Sequence, residues 1–361
     1  MSRKRNFYAG PSTMPLEVLE TLQQEFVDFQ GNGLSLIEAS HRGEPFESFY
    51  FETLEKVRSI MEIPKEYEVF FLGGGATLQF AMIPLNFLPK RGVADYINSG
   101  TWSLKAAKDA QKVGNINYYY DGSSSNFAFL PEVDSVTPSA QSEYLYLCSN
   151  ETTGGLQWQD FPDTKDVPLI ADISSDLMSR PIPIERFSLL FAGVQKNIGP
   201  SGATLVILKK EMLERQQREL PGYLDYKVHV KNEGLYNTPP VFNIWAVRRV
   251  LDWIEKHGGT KGMAQRAEKK SSLLYHAIEA SGGFYHCHVN ADYRSKMNIV
   301  FRLPSEELEK KFLTEAKEAN MVGLKGHRSV GGMRASLYNS LPIEDVEELV
   351  SLMKEFQRVN G

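Results

Sequence analysis

Residues 168–208 read PLIADISSDLMSRPIPIERFSLLFAGVQKNIGPSGATLVIL. The stretch contains three short apolar runs that are typical of buried strands, at 168–171, 187–192 and 203–208. Asp172 follows the first run, and Lys196 follows the second in a loop rich in glycine, proline and serine. In open α/β sheets, ligands bind beyond the carboxyl ends of the strands, so these two side chains are candidate site residues.

The same pattern of apolar run, small-residue loop and helical periodicity occurs earlier in the chain. Residues 68–72 lead into Gly73-Gly74-Gly75 and a predicted helix over 76–86. Trp102 follows a run at 93–97, and Thr152 follows one at 144–148. Alternating strands and helices favour an α/β fold, in which helices flank a mostly parallel sheet on both faces.

The pattern changes near residue 258. A predicted helix over 241–256 ends there, and three helices and two strands follow, at 263–281, 305–320, 343–358, 296–303 and 333–337. We therefore predict a large domain over residues 16–258 and a smaller C-terminal α+β domain over 259–361. Residues 1–15 form an N-terminal segment that we expect to pack near the active site.

Composition narrows the possible classes of protein. The chain has 361 residues, of which 42% are hydrophobic, and a net charge of -5, so disorder and non-specific nucleic-acid binding are not expected. Its apolar stretches are too short to span a membrane, and the basic N-terminus lacks the apolar core of a signal peptide. Two cysteines cannot form a disulfide framework. These features together predict a cytoplasmic protein.

The residues at the predicted strand ends describe one cofactor when they are taken together. Glycines at a helix start can bind a phosphate, and an indole such as that of Trp102 can stack on a flat ring. Asp172 could pair with a protonated ring nitrogen, and a partly buried Lys196 could attack an aldehyde. Each feature alone also has an ordinary role in a turn, a cap, the core or the surface. Their combination predicts pyridoxal 5′-phosphate.

Eight motifs, in this order along nearly the whole chain, resemble those of the phosphoserine aminotransferases, class-V members of the fold type I pyridoxal-phosphate enzymes. The segments that carry the resemblance are Phe7–Ser12, Ser40–Arg42, Gly74–Thr77, Ser149–Thr152, Ala171–Ser175, Gln195–Pro200, Asn237–Pro240 and Gly326–Ser336. Thr77 is one departure, because many members carry serine there.

The resemblance implies an aspartate-aminotransferase-like homodimer with active sites at the subunit interface. It implies that Lys196 forms the Schiff base and moves protons, that Asp172 holds the ring nitrogen's proton, that Trp102 stacks on the ring, and that Thr152 binds the ring's phenolate oxygen. It also implies that a larger set of residues binds the cofactor phosphate: Gly75, Ala76, Thr77, Gln195, Asn237 and Thr238. Of these, Asn237 and Thr238 would come from the neighbouring subunit.

The substrate residues are also implied by the resemblance. Arg334 has the planar fork that suits an α-carboxylate. The pairs His41-Arg42 and His327-Arg328 would bind the phosphate of phosphoserine and the γ-carboxylate of glutamate, although either pair alone could be surface charge. The implied reaction, in serine biosynthesis, interconverts O-phospho-L-serine and 2-oxoglutarate with 3-phosphooxypyruvate and L-glutamate by a ping-pong mechanism. Some members also act in pyridoxine biosynthesis.

Other interpretations of the sequence stay open. A cysteine desulfurase would need a mobile catalytic cysteine, and an alanine–glyoxylate aminotransferase would not need two His-Arg pairs. A cofactor-binding regulator and a sugar-phosphate binding protein are non-catalytic alternatives. His286 and His288 would share one face of a strand and could bind a metal, but no further ligand cluster accompanies them, so we expect a structural strand and no metal site.

Overall fold

The computed structural model describes residues 3–328 and 330–361. Its strands are β1 (Arg5–Asn6), β2 (Tyr67–Gly73), β3 (Val93–Asn98), β4 (Asn115–Asp121), β5 (Ser142–Cys148), β6 (Asn150–Glu151), β7 (Leu156–Gln157), β8 (Leu169–Asp172), β9 (Leu189–Gly193), β10 (Ala203–Lys209), β11 (Asn298–Phe301), β12 (Met321–Val322) and β13 (Met333–Ser336). Seven of them form the central sheet in the order β2-β10-β9-β8-β5-β3-β4.

Some of the described helices cover both faces of this sheet, and others belong to the C-terminal part of the chain. The helices are α1 (Leu16–Glu25), α2 (Phe46–Met61), α3 (Thr77–Phe87), α4 (Thr101–Ala110), α5 (Tyr226–Lys231), α6 (Val241–Lys256), α7 (Gly259–Glu279), α8 (Glu306–Glu318) and α9 (Ile343–Asn360). No described helix is long and apolar enough to cross a membrane.

The apolar runs are continuous because each central strand is buried on both sides. Along β2, Val69 and Phe71 join one hydrophobic cluster, while Phe70 and Leu72 join a second cluster on the other face. Successive strand residues point to opposite faces, so a strand covered on both sides needs apolar residues at every position. Helices α2 and α6 pack on the first face, and α3, α4 and α5 pack on the second.

Strand direction decides where the functional loops lie. β3, β4, β5, β8 and β9 are parallel, and β10 runs antiparallel to both β9 and β2. The carboxyl ends of the six co-directional strands therefore meet at one edge of the sheet. Because β10 returns from that edge, the short connection 194–202 stays there together with Lys196.

The main predicted elements are present, with some corrections. The predicted 263–281 helix begins earlier, at Gly259, and only His257 and Gly258 (φ 89°) separate it from the end of α6 at Lys256. β4 was not predicted, since its residues NINYYYD, apart from Ile116, are polar or aromatic, and none of them is fully buried. The strand expected at His286-Cys287-His288 is wrong: only His286 forms a bridge there, an isolated one with Arg302.

Residues 259–361 add α7, α8 and α9 to the small sheet of β11 and β13. We propose residue 258 as the boundary of this unit, although its core is continuous with the core of the preceding part. The N-terminal segment contacts both parts, because β1 pairs with β12 and the Ser12 amide donates to the Gln195 carbonyl at 3.0 Å.

Candidate active site

The Lys196 amine lies at the edge where the parallel strands end. Its Nζ donates to Thr152 Oγ1 and to Ser175 Oγ, each at 2.7 Å, and these two hydroxyls are 2.5 Å apart. Thr152 follows β6 and Ser175 follows β8, so three neighbouring loops meet at one amine. The two hydroxyls orient the amine without neutralising it, because neither carries a charge.

Asp172 is the last residue of β8 and only 5% exposed. Its Oδ1 accepts a hydrogen bond from the Ser174 amide at 2.8 Å. Burial raises the pKa of Asp172, and the positive charge of Lys196 partly opposes that rise. The hydroxyl and the amide of Ser174 also oppose that rise, because both donate hydrogen bonds to the charged carboxylate. A buried carboxylate of this kind is suited to receive a positively charged N–H.

Trp102 is fixed at the start of α4 by a buried acid. The Glu151 carboxylate, which is 0% exposed, accepts hydrogen bonds from the amides of Trp102 and Ser103 at 3.1 and 2.9 Å. An acidic group at a helix N-terminus satisfies free amides and complements the helix dipole. The Trp102 ring centroid lies 5.8 Å from Lys196 Nζ, and its indole N–H is buried without a partner in the described part of the chain.

The glycine loop after β2 leaves the start of α3 open. Gly74 has a φ of 104° and its amide donates to the Gly202 carbonyl at 3.0 Å, which ties the loop to β10. No atom lies within 4 Å of a Cβ built on Gly75, and Thr77 is exposed at the first helical position. The exposed helix start at Gly75, Ala76 and Thr77 is therefore accessible to an anion.

Gln195 precedes the lysine and folds back over its own strand. A Cβ at Gly193 would overlap the Gln195 side-chain amide, so glycine at this position allows the close approach. The backbone carbonyl of Gln195 is held by Ser12. Gln195 is half-buried at the same edge of the sheet as the glycine loop.

Arg334 enters the site from β13. Its Nη1 lies 3.4 Å from the Thr152 carbonyl, and its Nε is buried without a partner among the described residues. Burial lowers the pKa of Arg334. Burial also lowers the pKa of nearby His327, and the positive charges of Arg334, Lys105 and Arg328 lower it further. Arg328 is exposed, and the next residue of this motif, Ser329, lies outside the described residues.

Four predicted residues form no hydrogen bond with Lys196 within residues 3–328 and 330–361. The Asn237 side-chain amide donates to the Thr238 carbonyl at 3.0 Å. Arg42 is exposed, and His41 Nε2 is buried without a partner in residues 3–328 and 330–361.

Sequence reasoning missed two residues that hold the site together. Ser175 follows Asp172 in the Asp-Ile-Ser-Ser stretch, so its place at the strand end was the available signal. Glu151 lies next to Thr152, but its function as the cap of α4 depends on a contact between distant segments. Both contribute polar contacts to residues that were predicted.

The cysteines and histidines do not form a second reactive centre in the described part of the chain. Cys148 and Cys287 are free and buried, and burial raises the pKa of both thiols, which disfavours the thiolate that a desulfurase needs. Among the described residues, no three or more His, Cys, Asp or Glu side chains are grouped so that they could hold a metal ion.

The chemistry of these site residues fits pyridoxal phosphate. An oriented amine, a buried carboxylate, an indole and an open helix start lie at one edge of the sheet. Among the described residues, the indole N–H of Trp102 and the Nε of Arg334 are buried without a hydrogen-bond partner, as expected for groups that line a ligand site.

A protein-family model described as aminotransferase class-V matches residues 5–349. The chain belongs to the class-V aminotransferase family. A relative from Niallia circulans named phosphoserine aminotransferase is 48% identical over 99% of each chain. The solved phosphoserine aminotransferase from Bacillus circulans subsp. alkalophilus has a TM-score of 0.97, 48% identity and 99% coverage of both chains. A PLP-bound phosphoserine aminotransferase structure from Trichomonas vaginalis has a TM-score of 0.92 and 37% identity, covering 98% of this chain and 100% of that one.

These comparisons confirm the predicted family and the predicted fold class. The class-V match spans both the large sheet and most of the C-terminal unit. The fold of this family member is therefore the type I architecture, in which helices flank a mostly parallel sheet.

Proposed function

We propose that the chain is a pyridoxal-phosphate-dependent phosphoserine aminotransferase. It interconverts O-phospho-L-serine and 2-oxoglutarate with 3-phosphooxypyruvate and L-glutamate, the transamination step of serine biosynthesis. The observation that carries this proposal is the Lys196 amine, held by Thr152 and Ser175 beside buried Asp172, in a chain 48% identical over 99% of its length to a phosphoserine aminotransferase.

Pyridoxal phosphate supplies an aldehyde that bonds covalently to amines and a ring that takes up electrons from the substrate Cα. Asp172 would hold a proton on the ring nitrogen, because a buried carboxylate is stabilised by a positive partner. Lys196 would move the proton at the substrate Cα as general base and acid. Trp102 would cover one face of the ring and exclude water, and Thr152 would bind the ring's phenolate oxygen.

The phosphate of the cofactor would lie at the open start of α3. Gly75, Ala76 and Thr77 present amides there, and Gln195 adds a side-chain amide from the same edge. The helix dipole favours a negative group at this end. Asn237 and Thr238 would complete the phosphate site from a second subunit.

Substrate recognition would use basic side chains that differ in their exposure to solvent. Half-buried Arg334 would bind the α-carboxylate through its planar guanidinium. His327 and Arg328, with His41 and Arg42, would bind the phosphate or the γ-carboxylate. The same pocket would therefore accept both amino donors, one in each half-reaction of the ping-pong cycle.

We also propose a homodimer that shares its active sites. Among the described residues of one chain, Asn237 and Thr238 form no hydrogen bond with Lys196. Two aromatic residues nearby in the sequence, Tyr236 and Phe242, are 42% and 39% exposed. Exposed aromatic side chains are typical of protein interfaces. Two free, buried cysteines agree with a reducing compartment, so we propose the cytoplasm.

The visible absorption spectrum of the purified protein tests the reaction. We expect a visible band from the lysine-bound cofactor that is lost on addition of glutamate and, separately, of phosphoserine. Alanine is the control, and it should leave the band unchanged because it has no second anionic group. The variant Lys196→Ala should lack the band.

The outcomes separate the parts of the proposal. A band that responds to glutamate but not to phosphoserine would retain the aminotransferase and reject the substrate. Absence of the band, even after reconstitution with pyridoxal phosphate, would reject the cofactor assignment.

A further inference from the structure

One cation beside the site belongs to none of the motifs above. Lys105 lies three residues after Trp102 in α4, and this spacing places both side chains on one side of the helix. Its Nζ is 4.3 Å from the centroid of the Trp102 ring, and Lys196 Nζ is 5.8 Å from the same centroid. The two amines are therefore separated by no more than the sum of these distances.

Lys105 also acts on the substrate-side cations. Burial is the largest cause of the lowered pKa of His327, and the positive charges of Arg334, Lys105 and Arg328 lower it further. Within residues 3–328 and 330–361, no carboxylate lies within salt-bridge distance of Lys105. By contrast, Lys112, further along the same chain segment, is paired with Asp109 at 2.6 Å. The charge of Lys105 is therefore available to a ligand.

We propose that Lys105 is a specificity-determining residue that favours the phosphorylated substrate over glutamate. This inference rests on the proposed function. A phosphate monoester carries close to two negative charges at neutral pH, whereas the glutamate γ-carboxylate carries one. A cation at the rim of the pocket attracts the dianion more strongly, because the interaction energy scales with the product of the charges.

The exposed position of Lys105 defines the size of the effect. The side chain reaches solvent, so its attraction is screened by water and salt. We expect Lys105→Met to raise KM for phosphoserine about fivefold, the change typical of one solvent-exposed charge pair. KM for glutamate should change less than about twofold, and kcat should be retained for both substrates, because the loss of an interaction that is equal in the ground and transition states raises KM alone.

The matched control is Lys108→Met, which removes another exposed lysine of α4. In the described part of the chain, Lys108 does not lie over the Trp102 ring. Lys105→Arg retains the charge and should restore the wild-type preference. Inorganic phosphate provides a readout without turnover: its affinity for the holoenzyme, measured by calorimetry, should fall in Lys105→Met and stay unchanged in Lys108→Met. Added salt should reduce the difference between Lys105→Met and wild type.

Two results would overturn the inference. One is a phosphoserine KM and a phosphate affinity equal to those of wild type. The other is an equal loss for phosphoserine and glutamate, since Lys105 would then only steady the Trp102 ring. Failure of the proposed function looks different, because the wild-type enzyme itself would react with glutamate and not with phosphoserine.

Discussion

At the scale of single residues, Ser175 is as close to the reactive amine as Thr152 is. Both hydroxyls accept a hydrogen bond from Lys196 at 2.7 Å. We expect Ser175→Ala to reduce kcat about tenfold, because a hydrogen bond to a charged group contributes roughly 1.5–3 kcal/mol and orients the amine. Steady-state kinetics with phosphoserine would measure this.

The control for this prediction is Ser201→Ala, which removes an exposed serine from the same 194–202 connection. It should retain wild-type kcat. An unchanged kcat in Ser175→Ala would mean that Thr152 alone orients the amine.

Cys148 ends β5, close to Asp172, and burial raises the pKa of its thiol. We expect the native protein to resist alkylation at Cys148 at pH 8, because the thiolate is the reactive form and is strongly disfavoured. Mass spectrometry after iodoacetamide treatment would measure the labelling, and denatured protein provides the fully labelled reference. Rapid labelling in the native state would contradict the burial of this side chain and reopen the desulfurase alternative.

At the scale of elements, a buried lysine joins α7 to the turn that follows β13. Lys270 is 1% exposed, and its Nζ donates to the carbonyls of Tyr338 and Leu341 at 2.6 and 3.2 Å. Burial lowers the pKa of Lys270 to about 7, with a smaller effect from Arg266. In the unfolded chain the pKa returns to about 10.4.

The sign of the pH dependence follows from proton binding. Above pH 7 the unfolded chain holds this proton and the folded chain releases it, so raising the pH favours folding. Relative to Lys270→Met, the wild-type free energy of unfolding should increase by about 1.5 kcal/mol between pH 7.0 and 8.5. Urea denaturation at both pH values measures the difference. Lys269→Met, an exposed neighbour, should show no such change; parallel behaviour of wild type and Lys270→Met would refute the prediction.

Sequence patterns predicted the elements whose surroundings are uniform. β5, β8, β9 and β10 are buried on both faces, so every position is under the same apolar requirement. β4 lies at the edge of the sheet and is half-buried, so its pattern was ambiguous. His286 and His288 alternate as in a strand, yet a single bridge forms.

The residues of the candidate site also differ in whether the sequence could predict their positions. Lys196, Asp172 and Thr152 could be predicted to meet, because the ends of co-directional strands share one edge. The cap that Glu151 provides to α4 could not, since it joins segments about fifty residues apart through packing that no local pattern records.

At the scale of the whole molecule, the proposed homodimer makes a quantitative prediction. Lys196→Ala lacks the reactive amine, and Thr238→Glu would place a carboxylate against the cofactor phosphate. Neither variant alone should be active. If Lys196 and Thr238 of one site come from different subunits, half of the dimers in an equal, re-equilibrated mixture are mixed, and each has one complete site of two. The mixture should therefore recover about a quarter of wild-type activity.

Activity of the mixture is measured after subunit exchange, and light scattering gives the mass of the assembly. Lys196→Ala mixed with Asp172→Asn is the control, because both residues belong to one chain's side of the site. That mixture should recover nothing, since each mixed dimer still has a defect in both of its sites. If the activity of the Lys196→Ala and Thr238→Glu mixture does not exceed the sum of the activities of the two separate variants, shared sites are excluded.

The reversed direction of β10 has a consequence for where this chain could be cut and rejoined. Because β10 returns directly from the edge that holds the reactive amine, the connection 194–202 is short and has two anchors, β9 at one end and β10 at the other. New chain ends opened within it, as in a circular permutant, would release the amine from one of its two anchors. Ends opened at the turn near Gly258 would leave both anchors intact, so that turn is the better starting point for a permuted or split version of the enzyme.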